Sequence, residues 1–141
     1  RLSLGVSTFV PKAHTPFQWQ GVRPEAEKRL KLLGKRLKPK GIELRPESYG
    51  WSVIQALLSR SDRRLAPVIA AARGRHESLG GWKQAYRAVR EGVASGSAPL
   101  PPAWEEVIHG NWGSEQVLPW EHLEGPLPNA TLLKHQQEAL A

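Results

Sequence analysis

The N-terminal stretch LSLGVSTFVPKAHTPFQW, residues 2–19, decides the fold. Alternating side chains from Leu2 to Val10, many of them β-branched, predict a strand. Pro11 ends that strand, because proline has no N–H to donate to the ladder of a sheet. Pro11 and Pro16 then stiffen the loop that follows. Ligands of α/β proteins bind at strand ends of this kind, so we expect a binding site at the loop.

The next residues complete a strand–helix–strand unit. Residues 24–38 show an apolar stripe at helical spacing, with Pro24 in the first turn. Residues 42–45 predict a short second strand, and this order of elements predicts a right-handed parallel crossover. Because two strands alone are not stable in water, the unit requires helices over it or strands from another chain. We therefore predict an α/β fold that is a fragment of a partial (β/α) barrel.

A mainly helical extension follows. Residues 49–59 show helical spacing, with Ser48 as the N-cap. A second helix is predicted after the Arg60–Arg64 turn, with Asp62 as its cap. A third is predicted to start at Trp82. Short helices are predicted at 103–109 and 130–140, the last of them with the alternative of a frayed end. The predicted divisions are the barrel end at 1–46, the helical extension at 47–91, a linker at 92–102, and an irregular acidic strap, tied down by its tryptophans, at 103–141.

The net charge of +7 is unevenly distributed along the chain. Residues 1–91 hold 19 of the 20 Lys and Arg residues and 7 of the 13 Asp and Glu residues, which gives +12, whereas residues 92–141 carry −5. One interpretation is that the basic body binds an anion such as RNA, through helix 24–38 and Arg60–Arg64. The other is that the acidic tail folds back across the body, and that the cationic helix is simply a solvated face.

The composition argues against several classes of site. The chain has no cysteine, so it forms no disulfide and no thiolate metal site. Its five histidines are too widely spaced for a short-spaced ligand pair, and it contains neither a Gly-x-Ser-x-Gly elbow nor a Gly-rich phosphate loop. No apolar run approaches a membrane span and no signal peptide is visible, so we expect no membrane association. Since the chain begins at Arg1 rather than Met, we expect it to be a segment of a longer protein or a proteolytic product.

Three stretches resemble radical S-adenosylmethionine (SAM) enzymes, in particular the group with an N-terminal cobalamin-binding domain. The first is VSTFVPKAHTPFQW at 6–19, which is also similar to a loop of the methylthiotransferases. The second is SRSDRRL at 59–65 followed by Trp82, and the third is LPW at 118–120. The chain departs from the family at Ala13, where Pro is usual, and at Ser61, where Gly is usual. The family's three-cysteine cluster motif is absent.

The resemblance implies the C-terminal portion of a cytoplasmic radical SAM enzyme. The complete enzyme would use SAM and a [4Fe–4S] cluster, with cobalamin as a further option, whereas this chain alone would bind none of them and would be inactive. We expect SAM to be contacted by Val10, Lys12 and His14. We expect the substrate to be contacted by Gln18, Trp19, Arg60, Asp62 and Arg64.

Each of these residues also has a structural interpretation. His14 would then hydrogen-bond the proline-rich loop, Lys12 would be solvated, and Trp19 would belong to the core. Arg60 to Arg64 would form an ion-pair network at a helix start. The predicted partners are the remainder of the chain's own longer protein, a second copy paired through exposed strand edges, or RNA.

Overall fold

The fold is mixed α/β, with two parallel strands in the described part of the chain. The structure is a computed structural model that describes residues 2–75, 77–93 and 99–141. Strand β1 (Ser3–Val6) pairs in parallel with β2 (Glu43–Pro46), and helix α1 (Ala26–Leu37) connects them before a 3₁₀ turn at Lys38–Lys40. The predicted strand–helix–strand order is confirmed.

Strand β1 is shorter than the alternation from Leu2 to Val10 predicts. Its register runs from Ser3 opposite Glu43 to Val6 opposite Pro46, and one further bond joins Glu47 N–H to the carbonyl oxygen of Val6 at 2.9 Å. The strand ends there because β2 offers no partner beyond it. An alternating pattern marks a chain segment suited to a sheet, but the neighbouring strand sets the paired length.

The strand–helix–strand unit leaves much of its apolar surface in contact with solvent. Helix α1 has no buried residue, and Leu32 is 49% exposed. On the strand side, Leu2 is 58% exposed and Leu4 is 38% exposed. Gly34 of α1 lies against Leu44 of β2, which marks where helix and sheet do pack. The unit therefore contributes little to the core of the described chain.

Three helices form the centre of the molecule: α2 (Tyr49–Arg60), α3 (Ala66–Ala72) and α4 (Leu79–Val93). Both predicted caps are confirmed. Ser48 Oγ accepts from the N–H of Trp51, and Asp62 accepts from the N–H of Arg64 at the 3₁₀ turn before α3. The main core forms where these helices meet the N-terminal loop and the segment around residue 107. It consists of Val22, Val53, Ala56, Leu57, Leu65, Val68, Ala85, Tyr86, Val107 and Ile108.

The C-terminal region contains the two helices that were predicted in it. Helix α5 (Trp104–His109) packs on α2, and α6 (Asn129–Leu140) is formed rather than frayed. A second core joins loop and strap and consists of Trp19, Leu118, Trp120 and Leu132. Of the predicted linker, residues 94–98 lie outside the described residues, and α4 extends through Val93. Among the described residues no helix has the length and apolar character to cross a bilayer.

Gly21 joins the N-terminal loop to the end of α5 at a backbone-to-backbone contact. The N–H of Val22 donates to the carbonyl oxygen of Ile108 at 2.8 Å, and the N–H of Gly21 donates to Oδ1 of Asn111 at 2.9 Å. A Cβ at position 21 would lie 2.2 Å from the carbonyl oxygen of His109. Because backbone atoms cannot rotate out of the way, only glycine fits there.

We expect Gly21→Ala to destabilise the protein by about 1–3 kcal/mol, the usual cost of overpacking a close contact. The matched control is Gly113→Ala, because a Cβ at Gly113 would meet nothing within 4 Å. The control should change the free energy of unfolding by no more than about 0.5 kcal/mol. Urea unfolding of both variants makes the comparison, and equal losses would contradict the close contact at Gly21.

Candidate functional site

The three stretches that carry the family resemblance lie next to one another. We call them the motif segments: residues 6–19, 59–65 and 118–120. Ser59 Oγ donates to the carbonyl oxygen of Pro11 at 3.5 Å across 48 positions of sequence. Trp120 Nε1 donates to Oε1 of Gln18 at 2.9 Å across 102 positions. Trp82, which belongs to the second match, instead packs against the main core.

Gln18 is the buried polar centre of this convergence, with its side chain fully excluded from solvent. Its Oε1 accepts from the N–H of His14 at 3.0 Å and from Nε1 of Trp120 at 2.9 Å. Its Nε2 donates to Oδ1 of Asn129 at 3.0 Å. One amide thus ties the loop to itself, to the strap and to the first residue of α6. A buried amide with partners on both its oxygen and its nitrogen favours a single loop geometry.

His14 lies where loop and strap meet. Its backbone has φ 55°, in the left-handed region that non-glycine residues rarely adopt. Its half-buried ring faces Gly125, where a Cβ would lie 2.4 Å from Nδ1. His14 also lines a cavity of about 310 Å³ together with Trp120, Glu121 and other strap residues. The loop therefore borders a concave surface whose second wall is the strap.

Arg60 is a buried cation held by backbone carbonyl groups. Its Nη1 donates to the carbonyl oxygens of Val107 at 2.7 Å and Ile108 at 3.1 Å, and its Nη2 donates to that of Gly110 at 2.9 Å. The guanidinium carbon lies 3.9 Å from the ring centre of Trp112. Burial lowers the pKa of Arg60 to about 10. Its charge is stabilised by the C-terminal end of α5 and by an indole face.

Asp62 and Arg64 form an ion pair beside Arg60. Arg64 Nη2 lies 2.6 Å from Oδ2 of Asp62. Hydrogen bonding from Arg64 lowers the pKa of the Asp62 carboxyl, and the same bond raises the pKa of Arg64. All three side chains line a cavity of about 250 Å³ that also contacts Trp112 and Gln116. Glu106 lines the cavity as well, so two cations and two carboxylates border a common space.

The predicted site residues fall into three environments. Trp19, Gln18 and Arg60 are buried, and Trp19 belongs to the second core. Val10 packs at the edge of the main core, and Asp62 and Arg64 are partly exposed. Lys12 is exposed and His14 is half-buried. Ligand contacts by these residues stay predictions, and Lys12 is the exposed one among those predicted in the first motif segment.

Two residues at the contact between loop and strap could not be predicted from their local sequence. Asn129 is the N-terminal residue of α6, and Gly125 is one of several glycines in an irregular stretch. Asn129 matters because it bonds to Gln18, 111 positions away along the chain. Gly125 matters because it faces the ring of His14 in the N-terminal loop. The strap tryptophans do contact the loop: Trp120 packs with Trp19 in the second core, and Trp112 packs against that core. The backbone N–H of Trp112 also donates to the carbonyl oxygen of Trp19 at 2.7 Å.

An iron–sulfur cluster does not fit the donor set of this chain, because cysteine thiolates are its usual ligands and the sequence has none. Over the described ranges, no group of three or more His, Asp or Glu side chains is placed to hold a metal ion. His76, one of the five histidines, lies outside these ranges.

Comparison with known proteins leaves the family open. No family model matches the chain. A stretch of 66 residues, 47% of this chain, is 29% identical to an uncharacterized protein of Methanocaldococcus jannaschii. The match covers 15% of the length of that relative. No solved structure matches.

Replacing Gln18 tests whether the amide holds loop and strap together. We expect Gln18→Leu to lower the free energy of unfolding by about 1–3 kcal/mol, because the buried indole N–H of Trp120 loses its acceptor. Gln55→Leu is the control, since Gln55 is exposed on α2, and it should change stability by no more than about 0.5 kcal/mol. Urea unfolding gives both values, and equal effects would contradict the role of Gln18.

The ion pair of Asp62 predicts a pH dependence. Because the folded-state pKa of Asp62 is lowered below 3.8, its contribution to stability is present above that value and is lost as the pH falls through the lower folded pKa. Asp62→Asn keeps an acceptor for the N–H of Arg64 but removes the charge. Urea midpoints should therefore favour the wild type at about pH 6, and this difference should be smaller at a pH well below 3.8. A difference that is the same at both pH values would contradict the assignment.

Proposed function

We propose that this chain is the C-terminal part of a radical SAM enzyme and that loop 11–19 forms one wall of the cavity for SAM or substrate. The observation that supports the proposal most is the convergence of the three motif segments. They resemble one family in sequence, and they lie together through contacts such as Gln18 with Trp120. A chance resemblance at separate places would give no reason for such proximity.

The strand–helix–strand unit supports the placement of this chain at the end of a partial (β/α) barrel. Strands of parallel sheets are normally buried on both faces by helices or by further strands. Here β1, β2 and α1 leave Leu2, Leu4 and Leu32 substantially exposed. In the proposed enzyme, the preceding strands of the same longer protein would cover these side chains. A second copy paired through the open strand edge is the alternative occupant.

The residues of this chain would bind and orient ligands rather than carry out the radical step. The exposed ammonium of Lys12 would contact the carboxylate of SAM, or a carboxylate or phosphate of the substrate. His14 would complete the wall between loop and strap. When bound, SAM and a reduced [4Fe–4S] cluster supply a 5′-deoxyadenosyl radical, and the cluster's cysteines would come from the rest of the longer protein. We place any cobalamin-binding domain outside this chain as well.

The test compares this chain with the longer protein that its gene region encodes. We expect three cysteines at cluster spacing before residue 1. After anaerobic reconstitution with iron and sulfide, the longer protein should show the visible absorbance of a cluster and form 5′-deoxyadenosine from SAM. The 141-residue chain should do neither. A longer protein without the cysteines, or a cluster held by this chain alone, would overturn the proposal.

Two variants of the longer protein test the loop itself. Lys12→Ala should raise the SAM or substrate concentration needed for half-maximal 5′-deoxyadenosine formation about tenfold or more, the usual loss for a charge-assisted hydrogen bond. Lys28→Ala is the control, because Lys28 is exposed on α1 away from the loop. If both variants behave like the wild type, loop 11–19 does not line the cavity.

A further inference from the structure

The surface between α2, α3 and the start of α4 contains an apolar groove that no predicted site uses. We call it the tryptophan groove, and it encloses about 680 Å³. Trp51 at one side is 49% exposed and Ile69 is 47% exposed, although both are large apolar residues. Its apolar lining consists of Trp51, Ala66, Ile69, Ala70, Ala72 and Trp82. Exposed apolar patches of this kind mark interaction surfaces.

The groove is bordered by cations. Arg73 and Arg75 line it and are exposed, and Glu77 is the one acidic residue in its lining. Arg75 Nη1 donates to Oε1 of Gln84 at 3.4 Å, and neither arginine is ion-paired with a described residue. The surrounding body, residues 1–91, carries a net charge of +12. A ligand with apolar faces and negative charge complements this surface.

We propose that the tryptophan groove binds single-stranded nucleic acid. Every nucleobase has an apolar π-face that stacks on an aromatic side chain whatever the sequence. In this groove Trp51 and Trp82 supply indoles, while Arg73 and Arg75 supply planar guanidinium groups that match the geometry of phosphate. The groove thus combines the two kinds of group that single-strand recognition requires: aromatic rings on which bases stack, and cations that contact the phosphate backbone.

This location differs from the one that the charge pattern alone indicates. Helix α1 is the most cationic segment, but it has no aromatic residue among its charges. Arg60 is buried with its Nη donors on carbonyl groups, and Arg64 is paired with Asp62. In the tryptophan groove the exposed Arg73 and Arg75 lie beside the exposed indole of Trp51 and the half-buried indole of Trp82. The inference is independent of the radical SAM proposal, because it concerns a different surface.

The experiment measures binding of the 141-residue chain to fluorescently labelled oligouridine and oligothymidine of about ten nucleotides, within the usual site size. Fluorescence anisotropy at several salt concentrations gives the affinity and its salt slope. Binding should weaken as salt rises, with a slope of about −0.7 for each phosphate contacted. Binding of both oligomers indicates readout of bases and phosphates, whereas binding of oligouridine alone indicates an additional contact to the 2′-hydroxyl; either result supports the proposal.

Matched variants separate the groove from general electrostatic attraction. Trp51→Ala should weaken binding about 5- to 150-fold, the loss expected for one stacked base. Leu58→Ala is the control, because Leu58 is 47% exposed on the same helix and does not line the groove. Arg73→Ala should reduce the steepness of the salt slope by about 0.7. Circular dichroism and thermal melting of each variant verify that it is folded.

Several results would overturn the proposal. The first is the absence of binding at low salt, and the second is an unchanged affinity of the folded Trp51→Ala variant. The third is a loss of affinity in Arg36→Ala on α1 without a loss in Arg73→Ala. An acidic peptide such as oligoglutamate is the competing ligand, because it would use the arginines without stacking on an indole. Tighter binding of that peptide than of either oligonucleotide would assign the groove to a protein partner instead.

Discussion

The buried side chain of Gln18 is the contact on which the arrangement of the loop depends. It joins the N–H of His14, the indole of Trp120 and the amide of Asn129, and all of it is inaccessible to water. Two prolines restrict the backbone within the loop, but they do not set its position against the rest of the chain. The amide helps to set that position, because it bonds the loop to the start of α6. The shape of the first segment of the chain is therefore set by its final segment.

The elements that sequence patterns predicted well are those whose causes are local. Ser48 caps α2 and Asp62 caps the turn before α3, because a side-chain oxygen next to free N–H groups needs no distant partner. The extent of β1 was overestimated, because its length depends on where β2 ends. The roles of Gly125 and Asn129 could not be predicted either, because they also depend on distant partners. Both act on residues more than a hundred positions away along the chain.

The burial of each arginine, which a count of charges does not show, decides whether it is available to bind an anion. Arg60, Arg64 and Arg73 are equal in any count of the sequence, yet each has a different environment. Arg60 is enclosed by carbonyl groups and an indole, Arg64 is neutralised by a carboxylate, and Arg73 is open to solvent beside the tryptophan groove. The acidic tail does fold back, through apolar contacts of Trp120 and Leu132 with Trp19. Its docking leaves the cationic surface of α1 uncovered.

The bond between Gln18 and Asn129 spans 111 of the 141 positions of the chain. Contacts at such separation form late, because closing a long segment costs entropy before any stabilisation is gained. During synthesis, the proline-rich loop leaves the ribosome well before its partner residue exists. The helices of the centre can assemble in the meantime, since their contacts are local. The loop can reach its final shape only after translation has passed residue 129, so this surface matures after the helices of the centre have been synthesised.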